Sequence, residues 1–468
     1  MTKRLPYRVF VDWSDTGVYD DPNSDISDNV RSLSVGYGMG VLSNANDFNI
    51  VVLTGAIQLY VTPVGIDASR GLYLRHRLRI DIDGKELLTA YVNRESELTL
   101  RIESNNLQAL QNDVMLALDS SHTDSEIWDL ITSAAGIATG TSYFNGYSFA
   151  EVLILQGTVR SLLNDFAKVA GGYILEHSNG ELVFVAPRSR VGTSGDIRID
   201  AQQTEIFEQD ISYKVHAIRN QGLSSVPEID VKDGEELRSV SLDLGGREEK
   251  VLQVNAPSDS VVTNWAAVTD NSQITATVSA STLLNARVTA SNQSDTAQTG
   301  KLSVTGTVKV MFSANAEVRR RPASIDVWGV VPYRNLPEWM ADRESIEQEL
   351  SRRDTPLSTA TVDAPLTSAI SSWAFLEPGS LMILHDNDLT LNMMVGRKYI
   401  TLSKTPSLRF HLVEFPINYP DEYWILDSPN FELGINTYLS NEIIPTTGHN
   451  LIYHGDRLVY HGDRPTYF

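Results

Sequence analysis

The chain contains no cysteine, which removes disulfide frameworks, thiolate metal sites and cysteine nucleophiles at once. The fold has to hold by packing alone. Basic residues are scarce as well: 38 Lys and Arg against 59 Asp and Glu leave a formal charge of −21, spread along the chain instead of gathered in a tail. A protein that binds by neutralising phosphates has the opposite balance, so a nucleic-acid reader is disfavoured. An acidic surface does suit a protein past which DNA moves without sticking, because like charges repel. Long hydrophobic runs are missing too. The most apolar window, residues 50–61, is interrupted by Thr54, Gly55 and Gln58 and falls far short of a membrane span. The opening MTKRLPYRVFVDW lacks the apolar stretch of a secretion signal. The sequence predicts a soluble protein made in a cytosol, with no membrane segment.

Reactive constellations are also absent. There is no G-x-S-x-G elbow, no H-E-x-x-H pair, no G-x-x-x-x-G-K-[ST] phosphate cradle and no G-x-G-x-x-G after a strand. The nine His residues are scattered apart from a terminal pair. His385-Asp386-Asn387-Asp388 lies between two apolar runs and reads as a hairpin turn. Paired carboxylates for glycoside hydrolysis are a question of three-dimensional spacing that sequence does not answer. The expectation is a protein that is not an enzyme.

What is present is β pattern with one α+β interval. From Pro6 to about Ser104, alternating runs such as Leu78-Arg79-Ile80-Asp81-Ile82 and the Asp83-Gly84 turn predict hairpins of a barrel or sandwich. The period then becomes helical. Thr123 and Glu126 form a capping box, Ile127, Leu130, Ile131 and Ala134 share a face, and Gly136 stops the helix. Thr158 caps a second helix with Val159, Leu162, Leu163, Phe166 and Val169 in one stripe, ended by Gly171-Gly172. An Asn179-Gly180 hairpin follows. Thr/Ser/Val-rich strands punctuated by Asn, Asp and Gly fill much of 201–335, and one charged helix is expected around Glu338 to Arg353. The fold class expected is mainly β with an α+β unit. Five regions follow: tube-like β from 1–104, a helix-hairpin module at 105–200, a β-sandwich-like insertion at 201–335, a second β domain with one helix at 336–425, and an extension at 426–468.

Two stretches carry candidate sites. Asp12-Trp13-Ser14-Asp15-Thr16-Gly17 places oxygens where a calcium loop has them, with Gly at its sixth position. Asp12, Ser14, Thr16 and Asn23 are the calcium candidates; the competing reading is a solvated acidic loop, since Asn23 stands where a bidentate Glu belongs. No other cofactor is expected. The second stretch is LIYHGDRLVYHGDR, residues 451–464, one phrase written twice. Its two His and two Asp could in principle hold a metal, but each Asp adjoins an Arg that neutralises it. A β-favouring triplet before each His-Gly-Asp predicts strand and turn, and Leu451, Tyr453, Leu458 and Tyr460 are the expected anchors for a docked partner.

Three phrases in order give a resemblance. Val11-Asp12-Trp13 with Asp28-Asn29-Val30-Arg31-Ser32-Leu33-Ser34-Val35 and Ile80-Asp81-Ile82-Asp83-Gly84 is the first. The second runs from Gly157-Thr158-Val159-Arg160 to Leu182-Val183-Phe184, and the third is Tyr423-Trp424-Ile425-Leu426-Asp427-Ser428-Pro429. Together they resemble the hub or minor tail proteins at the tail tip (baseplate) of long-tailed bacteriophages. The resemblance implies tube-like β domains that assemble as a ring, usually a homotrimer, in a virion built in the host cytoplasm. It implies a tail-tube or distal tail protein on one side, a fibre or tip protein for host attachment on the other, and DNA passing through at ejection without being read. The insertion at 201–335 has no counterpart in it. Two alternatives stand beside this reading: a tail-associated cell-wall polysaccharide hydrolase, and a carbohydrate-binding receptor module in which Trp265, Trp328 and Trp373 would be exposed instead of packed in a core.

Overall fold

The computed structural model describes residues 6–14, 16–39, 50–63, 75–149, 153–186, 197–200, 210–216, 221–224, 227–313, 317–333, 357–386, 389–414, 450–454 and 457–461. The charged helix expected at 338–353 and the aromatic phrase at 419–424 lie outside these residues.

The first region holds β1 (Tyr7–Asp12), β2 (Val30–Met39), β3 (Ile50–Leu59), β4 (His76–Ile82), β5 (Lys85–Ser96) and β6 (Thr99–Glu103). Asp83-Gly84 makes the β4–β5 turn as its chemistry requires, both residues having positive φ. Then come β7 (Asp113–Leu118), α1 (Asp124–Ala135), β8 (Leu153–Thr158), α2 (Val159–Ala170), β9 (Tyr173–Glu176) and β10 (Leu182–Val185). Both helices begin and end at the residues the sequence marks: Thr123 and Glu126 cap α1 reciprocally, Thr158 accepts from the Ser161 N–H, and Gly136 and Gly171 close the helices in the left-handed region. The stripe on α2 is buried as expected, with Ala167 and Ala170 added. The α1 face is rotated from the expected one. Trp128 and Thr132 are buried while Ala134 is exposed and Leu130 only half-buried. The indole has far more apolar area to hide than either residue it displaces, and it packs 5.8 Å from Phe166 and 6.0 Å from Phe184.

Beyond lie β11 (Ile197–Asp200), β12 (Asp210–His216), β13 (Gln221–Ser224), β14 (Pro227–Leu244), β15 (Glu249–Asn255), β16 (Ser260–Thr269), β17 (Ile274–Ser281), β18 (Asn285–Asn292), β19 (Gln298–Ser313), β20 (Glu317–Arg320), α3 (Pro322–Trp328) and β21 (Pro332–Tyr333). Two three-stranded sheets, β14-β19-β16 and β15-β18-β17, face each other across Leu242, Leu244, Val254, Ile274, Val288, Ala290, Leu302 and Val304. This is a sandwich with its own core. The chain closes with β22 (Leu357–Pro365), β23 (Leu381–Asp386), β24 (Leu389–Leu402), β25 (Ser407–Glu414) and the hairpin β26 (Asn450–His454) with β27 (Arg457–His461).

The main body is a twelve-stranded sheet in the order β1-β4-β5-β6-β3-β2-β24-β25-β22-β12, with β23 added to β24 and β11 to β23; it curls as a half-barrel. Its two halves come from opposite ends of the chain and meet where Leu33 to Gly38 pair with Leu402 to Arg397. One core lies beneath both, from Val9, Leu78 and Ile102 to Val362, Ile400 and Phe410, all at most 2% exposed. Full burial of each such aliphatic or aromatic side chain contributes about 1.5–3 kcal/mol. The helix-hairpin unit packs at the end of the sheet where β2 finishes and β3 begins, since Met39, Ile50 and Val52 belong to its core.

Candidate functional site

The sheet has two faces of different chemistry, because side chains alternate along each strand. One is the apolar core. On the other, Asp12, Arg77, Tyr91, Glu103, Thr54, Gly36, Tyr399, Arg409 and Asp363 stand in register one after another from β1 to β22. A mostly polar row therefore crosses the junction of the two halves, with Gly36 at the seam. Several charges on this face are paired locally: Arg79 with Asp81 at 3.2 Å, Arg75 with Glu103 at 3.5 Å, and Arg409 with Asp363 at 2.6 Å. Tyr399 meets the His411 ring edge-on at 5.3 Å, and the Arg397 guanidinium lies 4.8 Å over Tyr399. Burial pushes the His411 imidazole down, helped by Arg409 and Arg397.

The Asp12 loop closes on itself. One Asp12 carboxylate oxygen accepts the Gly17 N–H at 2.6 Å, the other the Ser14 hydroxyl at 3.2 Å, and the Ser14 and Thr16 hydroxyls are 3.4 Å apart. Burial pushes the Asp12 carboxyl up, yet the Gly17, Thr16 and Ser14 N–H groups and the Ser14 hydroxyl together hold it below its ordinary value. Asn23 is further round the loop: its N–H donates to Asp21 and its carbonyl accepts from the Trp13 indole. Among the described residues no three His, Asp or Glu side chains converge as a metal site would need. A calcium ion at Asp12 would compete with these hydrogen bonds for the same oxygens.

The terminal repeat forms a hairpin, as its triplets predict. Antiparallel register sets Leu451 against Tyr460, Ile452 against Val459 and Tyr453 against Leu458. Positions 451, 453, 458 and 460 therefore share one parity of the ribbon. Among the described residues β26 and β27 pair only with each other. Of the three tryptophans weighed for carbohydrate binding, Trp265 packs against the sandwich core and donates its indole N–H to the Thr282 carbonyl at 2.9 Å. Trp373 packs against the core of the large sheet, and Trp328 ends α3.

The buried polar groups escape sequence reasoning. Glu176, 1% exposed, accepts from the Leu53 N–H, the Ser104 hydroxyl and the Asn106 amide. Glu377 accepts the Ser178 N–H at 2.9 Å and the Ser178 hydroxyl. Lys398 is fully buried; its Nζ donates to the carbonyls of Ala374 at 2.7 Å and Leu376 at 2.6 Å and lies 4.7 Å over Tyr37. Glu176 and Lys398 sit in strands whose patterning gives no hint of burial, and Glu377 is half-buried in a loop. The one available signal was Asn179-Gly180, which fixes the turn that brings Glu176 and Ser178 inward.

No family model matches the chain, and no curated protein matches it. Among solved structures, a 43 kDa tail protein of prophage MuSo2 from Shewanella oneidensis is 9% identical, with a TM-score of 0.43 over 88% of this chain and 98% of its own. A tail protein from Neisseria meningitidis MC58 is 10% identical, with a TM-score of 0.46 over 87% of this chain and 96% of its own. A component of the phage P2 baseplate in its activated conformation is 10% identical, with a TM-score of 0.29 over 88% and 99%. These neighbours are proteins of phage tails and baseplates, the class the sequence resembles.

Proposed function

We propose that the chain is a structural protein of a phage tail tip: a hub that forms a ring at the distal end of the tail tube, surrounds the DNA path and anchors fibre or tip proteins. The observation that carries this reading is the large sheet itself. It curls without closing, and its last strand, β12, has a second edge with no ladder partner among the described residues. An open edge on a curved sheet is a template for the next copy, and identical copies joined in this way close as a ring. The polar row would then face the lumen and the apolar face the body of each subunit. Paired charges on that face suit DNA that slides, because a guanidinium already held by a carboxylate is a weaker partner for phosphate.

The terminal hairpin supports the anchoring role, since it pairs with no other described strand and its repeated phrase offers Leu451, Tyr453, Leu458 and Tyr460 to a fibre or tip protein. Light scattering on the full chain, alone and with the tail-tube partner, tests the ring: a trimer is expected, and a monomer under both conditions rejects it. Truncation after Pro445 should leave the ring intact and abolish attachment of the distal partner. Retention of duplex DNA at physiological salt would contradict the conduit. Turnover of cell-wall glycan abolished by one Asp or Glu substitution would establish the hydrolase instead.

A further inference from the structure

The insertion sandwich has two flanks, and only one is guarded. On the first, β14 turns into β15, and these two edge strands carry Lys232, Glu235, Glu236, Arg238, Glu249 and Lys250. Arg238 also ties the flank together, donating from Nη1 to the Gln253 carbonyl at 2.7 Å. Charges of this kind keep an edge strand from pairing with another chain. The second flank, where β16 turns into β17, lacks them. Residues 260–286 hold a single charge, Asp270, in a chain that is 21% charged. The Asp270 carboxylate accepts the Lys301 N–H at 2.6 Å.

Among the described residues β17 is the outer strand of its sheet and pairs with β18 alone. The Gln293 N–H donates to the Gln273 carbonyl, which puts Gln273, and by alternation Thr275 and Thr277, in the positions bonded to β18. The N–H and C=O of Ala276 and Val278 therefore point to the open side. Ile274 agrees, since its N–H turns back to the Asn271 carbonyl at 3.0 Å. Thr275 and Thr277 are exposed on the outer face, while Ile274 is buried in the sandwich core. Ala276 and Val278 pack against that core but stay half-buried. A second strand laid along this edge would finish covering them.

We infer that this flank is a contact between two copies of the chain, made by antiparallel pairing of β17 with itself about a two-fold axis at Ala276. The strand is its own complement. With Ala276 opposite Ala276 of the second copy, Thr275 meets Thr277 and Ile274 meets Val278, cross-strand pairs of β-branched residues that stabilise a sheet. Each Ala276 gives and takes one backbone bond. Each Val278 N–H reaches the other copy's Ile274 carbonyl, which within one chain is met by the Thr269 hydroxyl at 3.4 Å. Charge selects the occupant: copies that each carry −21 repel where charged surfaces meet, and at physiological salt that repulsion reaches only about 8 Å. A neutral strand is where two copies can approach. The bulge between Val278 and Ala280 confines the pairing to Ile274–Val278. An isologous contact uses the edge on both sides at once, so growth stops at the pair.

This pairing does not depend on the ring, and its test is a ratio of masses. Across a concentration series, light scattering on the full wild-type chain should reach twice the mass of Thr275→Lys/Thr277→Lys. That variant sets like charges opposite one another on an exposed face and leaves the sandwich core untouched. A trimeric ring would fall from paired rings to single ones, and a ringless chain from dimer to monomer. Thr275→Lys/Thr277→Glu sets opposite charges against each other in this register, so it should keep the doubled mass. Hydrogen exchange gives a second reading, with the Ala276 and Val278 amides protected in the wild type and open in the first variant. Three results would overturn the pairing: equal masses for the wild type and the first variant at every concentration, a halved mass in the Lys/Glu variant as well, or a wild-type mass that grows without limit.

Discussion

The large sheet and the insertion sandwich are both β structure, but they are held together in different ways. The sandwich draws its core from one continuous stretch, Leu242 to Val304. The large sheet joins strands from the two ends of the chain, and its core residues run from Val9 to Leu412. Contacts between near neighbours in sequence cost little chain entropy to form, whereas distant segments must first be brought together. The sandwich can therefore behave as an autonomous unit, while neither half of the large sheet buries its own apolar face without the other. The insertion also enters and leaves through a single ladder, since Ser224 pairs with Glu317.

That contrast can be broken at its strongest point first. Phe410, fully buried on β25, serves the shared core, and Phe410→Ala should cost about 3–5 kcal/mol. Hydrogen exchange should show β2 and β4 losing protection together with β25 while 249–292 keep theirs; loss confined to the C-terminal strands would mean the halves are independent. The reciprocal change, Leu302→Ala in the sandwich core, should cost about 2–5 kcal/mol. Only the sandwich should unfold earlier in a denaturant titration, with the large sheet unmoved.

Excision sharpens the comparison at smaller cost. Replacing 227–313 by a short turn across Ser224 and Glu317 removes the bond from Lys309 Nζ to the Asp119 carbonyl at 3.1 Å, a loss of roughly 1 kcal/mol. The melting temperature of the remainder should barely change, and a large drop would show that the sandwich braces the sheet. The smallest effect lies at Asp12. Because its carboxyl is held below the ordinary value, the stability it contributes is present above that range and is lost as pH falls through the folded value. Asp12→Asn should flatten that acid limb of the melting curve. Calcium at millimolar concentration should raise the wild-type melting temperature only if an ion replaces the loop's own hydrogen bonds, and Asp12→Asn would then abolish the rise.

Local chemistry was legible in the sequence, because caps, turns and periodicity act over a few residues. Thr123 with Glu126, Thr158, Gly136, Gly171, Asp83-Gly84 and Asn179-Gly180 all do in the structure what their residue types demand. The mainly β class, the sandwich and the terminal hairpin follow from the same short-range rules. The rotated face of α1 shows where they end, since which side of a helix is buried depends on what lies opposite, here Phe166 and Phe184. Only the tertiary structure decided that β2 pairs with β24, because a ladder between residues far apart leaves no mark on either strand beyond alternation. It also decided that Glu176 and Lys398 are taken out of water. A charged residue reads as exposed in any sequence, and burial is a property of its neighbours in space.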